Sequence, residues 1–229
     1  MRLASHSRFD RSILQMIELA QASLQGSASG FYWIDPALNM IEVSTVGMPF
    51  EFSQDYHSGG IGSHDPCFAR RLAGQNRKLA LLSDERTKVS PHAVEPYLAL
   101  LRNFAFTDTA DMIFWRNGVP FAGLGVVKRL DDPPTSEETV AVASALQHYF
   151  ERELQCHPHM IQEELSRRYC LTARELEVVN LLCGGASNHD IATILGIGIA
   201  TVKTHVLRCF DKLGVKSRFA LLSFLATLH

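Results

Sequence analysis

The sequence predicts an α+β protein of two domains, in which an N-terminal α-β-α sandwich with an antiparallel sheet precedes an all-α domain of four helices. Two pairs of strand-like segments, each joined by a turn, predict the sheet. Helical periodicity on both sides of them predicts the outer layers, and closely spaced capping residues and glycines near the C-terminus predict short helices. With 229 residues and 46% hydrophobic residues, the chain can form two cores.

The first predicted elements are one helix and two strands. Residues 8–25 place Ile13, Ile17 and Leu24 at helical spacing, and the stretch GSASG then ends the helix. FYWI and MIEVSTV have the composition of strands and flank the turn DPALN.

The strongest hairpin signal lies at 111–127. There Asn117 and Gly118 stand between two apolar runs, and a two-residue type I′ turn needs positive φ at both positions. Helix-rich sequence separates the two hairpins, and a long helix is expected near 136–155. Helices packed on antiparallel hairpins favour a PAS- or GAF-type sandwich. A phospho-receiver domain would need alternating strands and helices with acidic strand ends, a pattern that we do not find.

A domain boundary is expected around Pro158, which interrupts the long helix. The predicted parts are a sensor-like domain at 1–155, a linker at 156–170 and a helix-turn-helix domain at 171–229. Residues 166–229 contain eight Lys and Arg against four Asp and Glu, whereas the rest of the chain contains 14 against 20. This asymmetry favours a basic module joined to an acidic one.

Composition argues against several classes of protein. The start, MRLASHSRFDRSIL, has charges where a signal peptide needs an apolar stretch, and VPFAGLGVV is too short to span a bilayer. Five cysteines without a C-x-x-C pair fit free thiols, so we expect a cytoplasmic protein with no membrane partner. Cys156, His157 and His159 have no fourth ligand nearby, and no residue looks like an activated nucleophile. We therefore expect no metal, no cofactor and no enzyme.

Local helix signals are dense in the C-terminal quarter. Thr172 and Glu175 form a capping box before LEVVNLLC, and a Gly-Gly pair ends that helix. Ser187 caps the short helix NHDIATIL, the next helix begins near Ile199, and Ser217 caps a fourth. The two helices joined by GIG form a helix-turn-helix.

The second helix of this motif has one apolar face and one polar face. At about 100° per residue, the apolar stripe contains Val202, Val206, Cys209 and Leu213. The residues expected to face DNA bases are Lys203, Thr204, Leu207 and Arg208. Lys and Arg donate to guanine or phosphate, and Thr and Leu contact the thymine methyl group. Phosphate contacts are expected from Ser187, His189, Thr201, His205, Lys216 and Arg218. The alternative for each side chain taken singly is an ordinary solvated position.

Residues 171–226 resemble the LuxR/FixJ-type helix-turn-helix of bacterial transcription regulators. The stretch begins LTARELEVVNLLCGG, and TVKTH and KLGVKSR follow at the family's spacing. The resemblance implies a domain whose third helix reads double-stranded DNA and whose fourth supports dimerisation. Gly198 stands where the family usually has a Ser or Thr N-cap, which removes a hydroxyl that could contact phosphate.

The last predicted helix is apolar almost all round. A terminal helix buries only one face in a small domain, so the other face favours a homodimer. The residues expected at this interface are Leu221, Phe224, Leu225 and Leu228. The alternative is that the segment folds over the first domain. A dimer with recognition helices one DNA turn apart would bind an inverted repeat, and RNA polymerase is a further partner that such a regulator can have.

The N-terminal part resembles the sensor domain of LuxR-type regulators that bind acyl-homoserine lactones, or of their solo relatives. The likeness depends on Phe52, Tyr56, Asp65 and Pro66, and it implies that Tyr56 lines a pocket and that Asp65 accepts a ligand amide hydrogen. Phe52 replaces a family Trp and Ala80 replaces a second aromatic residue, which disfavours a lactone. A small apolar effector of another kind, or no ligand, is favoured. The alternative for Asp65-Pro66 is an ordinary helix start.

Together these patterns predict a DNA-binding transcription regulator, a LuxR-type solo whose N-terminal domain senses a small molecule or a partner. Two rival hypotheses stay open. One is an adaptor whose helical module does not bind DNA, and the other is a small-molecule enzyme in the N-terminal half.

Overall fold

The computed structural model describes residues 8–58, 60–73, 75 and 77–228. The chain divides into two compact units, of which the first ends at Glu153 and the second begins at Leu154. Each unit has its own buried apolar core. The five cysteines are free thiols.

The first unit is built on a five-stranded antiparallel sheet, which confirms the predicted α+β class. The strands are β1 (Ala28–Ile34), β2 (Met40–Val46), β3 (Leu79–Leu81), β4 (Phe106–Arg116) and β5 (Val119–Arg129), in the order β2-β1-β5-β4-β3. Both predicted hairpins are confirmed. At the β4–β5 turn, Asn117 and Gly118 have φ values of 52° and 77°, as a type I′ turn requires.

In the part of the chain that the structure describes, six α-helices cover the two faces of this sheet. They are α1 (Arg8–Leu24), α2 (Phe50–Ser58), α3 (Ala69–Ala73), α4 (Leu82–Glu85), α5 (Pro91–Asn103) and α6 (Glu137–Gln155). The first and last confirm the predicted flanking helices. The predicted alternative of a helix starting at Asp65-Pro66 is wrong, because these residues form a turn and α3 begins only at Ala69.

Alternate residues of each strand face opposite layers. On one face, Phe31 of β1 stacks on Phe114 of β4, which contacts Phe150 of α6. α1 lies on the same face, where Gln21 accepts a hydrogen bond from the Ser29 hydroxyl at 2.7 Å. On the other face, residues of the same strands pack with α2, α3 and α5 in one buried cluster. The candidate pocket lies on this second face.

The described residues of the second unit form five helices around a separate core. They are α7 (Pro158–Tyr169), α8 (Ala173–Cys183), α9 (Asn188–Leu195), α10 (Ile199–Leu213) and α11 (Arg218–Leu225). Both partners of the Thr172 capping box are present, Ser187 forms a second box, and Ser217 caps α11, as the sequence predicts. Met160 and Leu165 of α7 are buried, so the predicted linker contains a packed helix.

Within the described residues, no single helix combines the length and apolarity that a bilayer span needs. The pair α9 and α10 reaches both only when the two helices are taken together, and the chain bends by 109° between them. That bend is the angle expected of a helix-turn-helix.

Candidate functional site

The helix-turn-helix presents the outer face of α10. Val202, Cys209 and Leu213 are buried against the core of the unit, and Val206 packs against the same core. Helices α8 and α9 supply most of the facing surface. Gly198 is the N-cap without a side-chain hydrogen bond, as expected from the sequence. The local sequence therefore fixes which face of α10 points outward.

The four residues expected to read bases share this outward face. Lys203, Thr204, Leu207 and Arg208 are all exposed, and Leu207 is 62% exposed despite being apolar. In the described part of the chain, neither Lys203 nor Arg208 takes part in an ion pair. The Thr204 hydroxyl donates to the Ala200 carbonyl at 3.1 Å, which leaves its methyl group free to face a ligand. Two uncommitted cations and two methyl-bearing side chains thus form one surface.

The residues expected to contact phosphate are more varied. Thr201, His189 and Lys216 are exposed, but the Ser187 side chain already accepts the Asp190 amide as a cap. His205 is partly buried, and its Nδ1 atom has no hydrogen-bond partner among the described residues. Arg218 donates to the Ala186 carbonyl at 2.6 Å. Ser187 and Arg218 therefore first serve to shape the loop before α9.

An ion pair between the exposed Lys212 and the buried Glu175 holds α10 against α8. Lys212 Nζ donates to Glu175 Oε2 and to the Cys170 carbonyl, each at 2.7 Å, while the Thr172 amide donates to the same Glu175 oxygen at 2.8 Å. Burial by itself raises the pKa of Glu175, but the hydrogen bonds from Lys212 and Thr172 outweigh burial, so its pKa lies below the ordinary value. The capping residue predicted from sequence thus also positions the recognition helix.

The four residues expected at a dimer interface differ in how deeply they are buried. Leu221 is fully buried in the core of its own unit, and Phe224, Leu225 and Leu228 pack partly against that core. Phe219 and Leu222, by contrast, are 79% and 43% exposed. The exposed large apolar side chains of α11 are therefore Phe219 and Leu222, and not the four residues predicted from the sequence.

The first unit contains a cavity of about 70 Å³ between the sheet and helices α2 and α5. Gly30 of β1, Gly125 of β5 and Asp111 of β4 are neighbours in register on its floor. Gly123 lies two residues before Gly125 and pairs with Tyr32 of β1. Because glycine has no side chain, these positions leave a space above the sheet that any larger residue at the same positions would fill.

The residues expected to bind a ligand meet at this cavity. Phe52, Tyr56 and Asp65 all line it, and the rings of Phe52 and Tyr56 stack at 6.0 Å. The Tyr56 hydroxyl donates to Asp65 Oδ2 at 2.8 Å, and the Cys67 amide donates to Oδ1 at 2.8 Å. Burial raises the pKa of Asp65 to about 6, although these hydrogen bonds oppose the rise.

Sequence reasoning missed further polar residues of the cavity, among them Asp111 and Tyr32. The Asp111 side chain accepts a hydrogen bond from Thr109 at 3.1 Å, and burial, with the nearby Asp65 charge, raises its pKa well above the ordinary value. The Tyr32 hydroxyl is buried and has no hydrogen-bond partner in the described structure. Two signals could have found this site: an acidic residue inside the apolar strand DMIFW, and the period-two glycines of AGLGV.

The stretch CHPH serves a structural purpose. His157 is the N-cap of α7, and its Nδ1 atom accepts the His159 amide at 3.2 Å. Among the residues that the structure describes, no group of three or more His, Cys, Asp or Glu side chains could hold a metal ion.

Comparison with known proteins gives a family and a fold. Residues 169–225 match the family of bacterial regulatory proteins described as the luxR family. The chain is 30% identical over 159 residues to the "Monoamine regulon transcriptional regulator" of Klebsiella aerogenes, a match that covers 69% of this chain and 66% of that protein. It is 41% identical over 69 residues to the "HTH-type transcriptional regulator MalT" of Yersinia pestis (strain Pestoides F), covering 30% of this chain and 7% of that protein.

A similar fold occurs in the crystal structure of Escherichia coli SdiA. The TM-score is 0.50 at 15% identity, over 97% of this chain and 92% of that one. The alignment with the Klebsiella protein is longer than the whole second unit, so that similarity extends into the first unit.

Proposed function

We propose that this chain, whose residues 169–225 belong to the luxR family of bacterial regulatory proteins, is a transcription regulator that binds DNA through α10 and senses a small molecule through its first unit. The observation that best supports DNA binding is the outward set of α10. This set contains two unpaired cations, a threonine and an exposed leucine. The opposite face of α10 is buried in the core of the unit, and its Lys212 is bonded to Glu175 of α8. From the Klebsiella relative we extend to this chain only the activity of transcription regulation.

Each member of the outward set has a distinct expected contact. Lys203 and Arg208 donate to guanine O6 and N7 or to phosphate, and Thr204 and Leu207 contact thymine methyl groups. Thr201, His189 and Lys216 lie exposed around this set and supply phosphate contacts. Ser187 and Arg218 support the loop before α9, and the partly buried His205 lies on α10 next to Thr204.

A homodimer would place two such helices on one duplex. The exposed Phe219 and Leu222 of α11 are the part of this helix best suited to a second copy, and Phe224, Leu225 and Leu228 border them. A two-fold dimer reads an inverted repeat, with half-sites about one DNA turn apart. RNA polymerase is a further partner in this proposal.

The cavity supports a sensing role for the first unit. It has an apolar wall and a few polar groups that converge on one spot, as small-molecule sites do. Phe52 and Ala80 lack the polar or aromatic groups that the resemblance associates with lactones, so the proposed effector is not a lactone. Such an effector changes DNA binding only if it binds two arrangements of the protein with different affinity.

Selection from a random DNA library, followed by a salt series on the selected site, tests the proposal. Lys203→Ala is expected to weaken binding and to reduce the slope of log affinity against log salt by about one if Lys203 contacts phosphate. If it reads guanine, the variant is expected to relax sequence preference at one position. Arg167→Ala, which removes an exposed charge from α7, is the control and is expected to keep both properties.

The rival hypothesis of an adaptor makes the opposite prediction. It requires that the full chain selects no sequence and that Lys203→Ala and Arg167→Ala behave alike. That outcome would refute the DNA-binding proposal.

A further inference from the structure

Two carboxylates share the cavity of the first unit without a cation to balance them. Asp65 and Asp111 are 4% and 9% exposed, and both line the cavity. Within the described structure neither forms an ion pair, and Arg71 acts on Asp65 only as the weakest of several influences. Their donors are neutral: hydroxyls of Tyr56, Tyr97 and Thr109, the amide of Cys67, and its thiol. A buried carboxylate is normally paired with a cation, so burial favours the protonated form of both acids until a cation enters the cavity.

The hydroxyl of Tyr32 is a second and independent sign of a missing ligand. The residue is only 5% exposed, lines the same cavity, and its oxygen has no hydrogen-bond partner in the described structure. A Cβ atom on Gly123 would clash with this ring, so the glycine leaves the hydroxyl its space. A buried phenol without a partner is unfavourable unless something in the cavity accepts or donates to it.

The walls around these groups are aromatic and apolar. The rings of Phe52 and Tyr56 stack, and Tyr97 meets Tyr56 at 6.0 Å with its ring tilted by 68°. Met40 and Val127 also line the cavity. Aromatic faces attract cations as well as apolar groups. The cavity thus combines two buried acidic side chains with aromatic and apolar walls.

We propose that this cavity binds a small organic ammonium ion, with the ammonium group between Asp65, Asp111 and the Tyr32 hydroxyl and a short apolar body against the aromatic and apolar walls. This inference rests on the proposed sensing role of the first unit and names the chemical class of its effector. An ammonium group has several N–H donors, which can satisfy two carboxylates and one phenol oxygen at once. A carboxylate or phosphate ligand would meet like charge. Among the described residues, no group of three or more His, Cys, Asp or Glu side chains has an arrangement that could hold a metal ion.

Protons take part in this binding. Burial raises the pKa of Asp111 well above its usual value, so burial favours the protonated acid as long as no cation lies beside it. Apart from Arg71, which acts only weakly on Asp65, the ionisable neighbours in the described structure supply no cation. Partial burial lowers the pKa of His57, burial raises the pKa of Tyr32, Tyr56, Tyr97 and Cys67, and Asp108 and Glu85 are themselves acidic residues. Entry of an ammonium ion stabilises the carboxylate form of Asp111, whose proton then leaves to solvent.

Calorimetry on the full chain tests the proposal with pairs of probes that differ only in charge. The probes are 2-phenylethylamine against 2-phenylethanol, and n-hexylamine against 1-hexanol. We expect at least one amine to bind about tenfold or more tightly than its alcohol and to release protons, seen as a heat that depends on the buffer. Asp111→Asn, which keeps the shape of the side chain, is expected to bring the two affinities together and to abolish proton release.

A second variant guards against misfolding of the first. Tyr32→Phe keeps the ring and removes only the hydroxyl, so it is expected to lower amine affinity several-fold and to leave the affinity for the alcohol unchanged. Thermal melts of both variants check that they fold. The proposal is overturned if no amine binds, if amine and alcohol bind equally, or if the preference for the amine survives in every folded variant.

The outcome is separate from that of the proposed function. Binding to the selected DNA site is measured on the same preparations. A chain that selects DNA but shows no amine preference overturns this inference alone. A chain that prefers amines but selects no DNA refutes the DNA-binding proposal and leaves the ligand class standing.

Discussion

Replacing Gly123 by alanine tests whether the cavity floor depends on a missing side chain. An ideal Cβ atom at this position would lie 2.7 Å from Tyr32 Cε2 and still closer to Cζ and the hydroxyl oxygen. Carbon atoms in contact prefer about 3.5–4.0 Å, so the methyl group is short of space by about 1 Å. Tyr32 is packed between the sheet and the helices and cannot swing into solvent. Overpacking of this kind costs about 1–3 kcal/mol.

The assay can observe the first unit alone. Both tryptophans of the chain, Trp33 and Trp115, lie in that unit, so tryptophan fluorescence reports its unfolding specifically. For a unit of this size, Gly123→Ala is expected to lower the melting temperature by about 2–10 °C.

Gly30→Ala is the matched control for this substitution. It lies on the same sheet face, but its added Cβ atom would meet Thr45 Cγ2 at an ordinary 3.4 Å. Alanine is also favoured over glycine in a strand by about 0.5–1 kcal/mol, so this variant should be as stable as the wild type or more so. Adding Tyr32→Ala should remove most of the cost of Gly123→Ala. The proposed clash between the added Cβ atom and Tyr32 would be refuted if Gly123→Ala and Gly30→Ala were equally stable. It would also be refuted if Gly123→Ala cost as much stability with Tyr32→Ala as without it.

Two further predictions concern pH. Because burial raises the pKa of Asp65 to about 6, against 3.8 ordinarily, this group favours folding below pH 3.8 and loses that contribution as pH rises through about 6. In melts followed by tryptophan fluorescence, Asp65→Asn should remove the part of this decline that Asp65 contributes, while Asp111 still titrates in the variant. A pH profile of the melting temperature equal to that of the wild type would contradict this prediction. The pKa of Glu175 lies below its ordinary 4.5, so its contribution is present above pH 4.5 and is lost as pH falls through the lower folded value. Glu175→Gln should remove that acid sensitivity from the helical circular dichroism melt, whereas Glu177→Gln, on the exposed side of the same helix, should keep it.

The second unit was predictable because its signals are local. Thr172 and Glu175 are three residues apart, and the helix they cap follows from their chemistry alone. The apolar stripe of α10 likewise repeats within one helix. The hairpin at Asn117-Gly118 belongs to the same class of signal, since two residues decide the turn.

Elements that depend on distant partners were harder to predict. β3 has three residues, too few for a periodic pattern, and pairs only because β4 offers it an edge. Helix α5 starts at Pro91 and contains Pro96, whereas propensity favours a start at the second proline. Asp65 and Asp111 lie on different elements of the unit and meet only after the sheet and its covering turn have formed. No local pattern brings them together.

The contrast between the two units also indicates where the first one departs from maximal stability. Glycine in a strand interior costs about 0.5–1 kcal/mol relative to alanine, and Gly30, Gly123 and Gly125 lie at neighbouring register positions of one sheet face. Two buried acids and an unpartnered phenol lie beside them, and each is unfavourable in an empty cavity. The second unit has no comparable concentration of unfavourable features in its described residues, because its buried Glu175 is paired with Lys212. When unfavourable features gather at one spot in an otherwise consistent structure, a ligand that satisfies all of them is the simplest physical explanation.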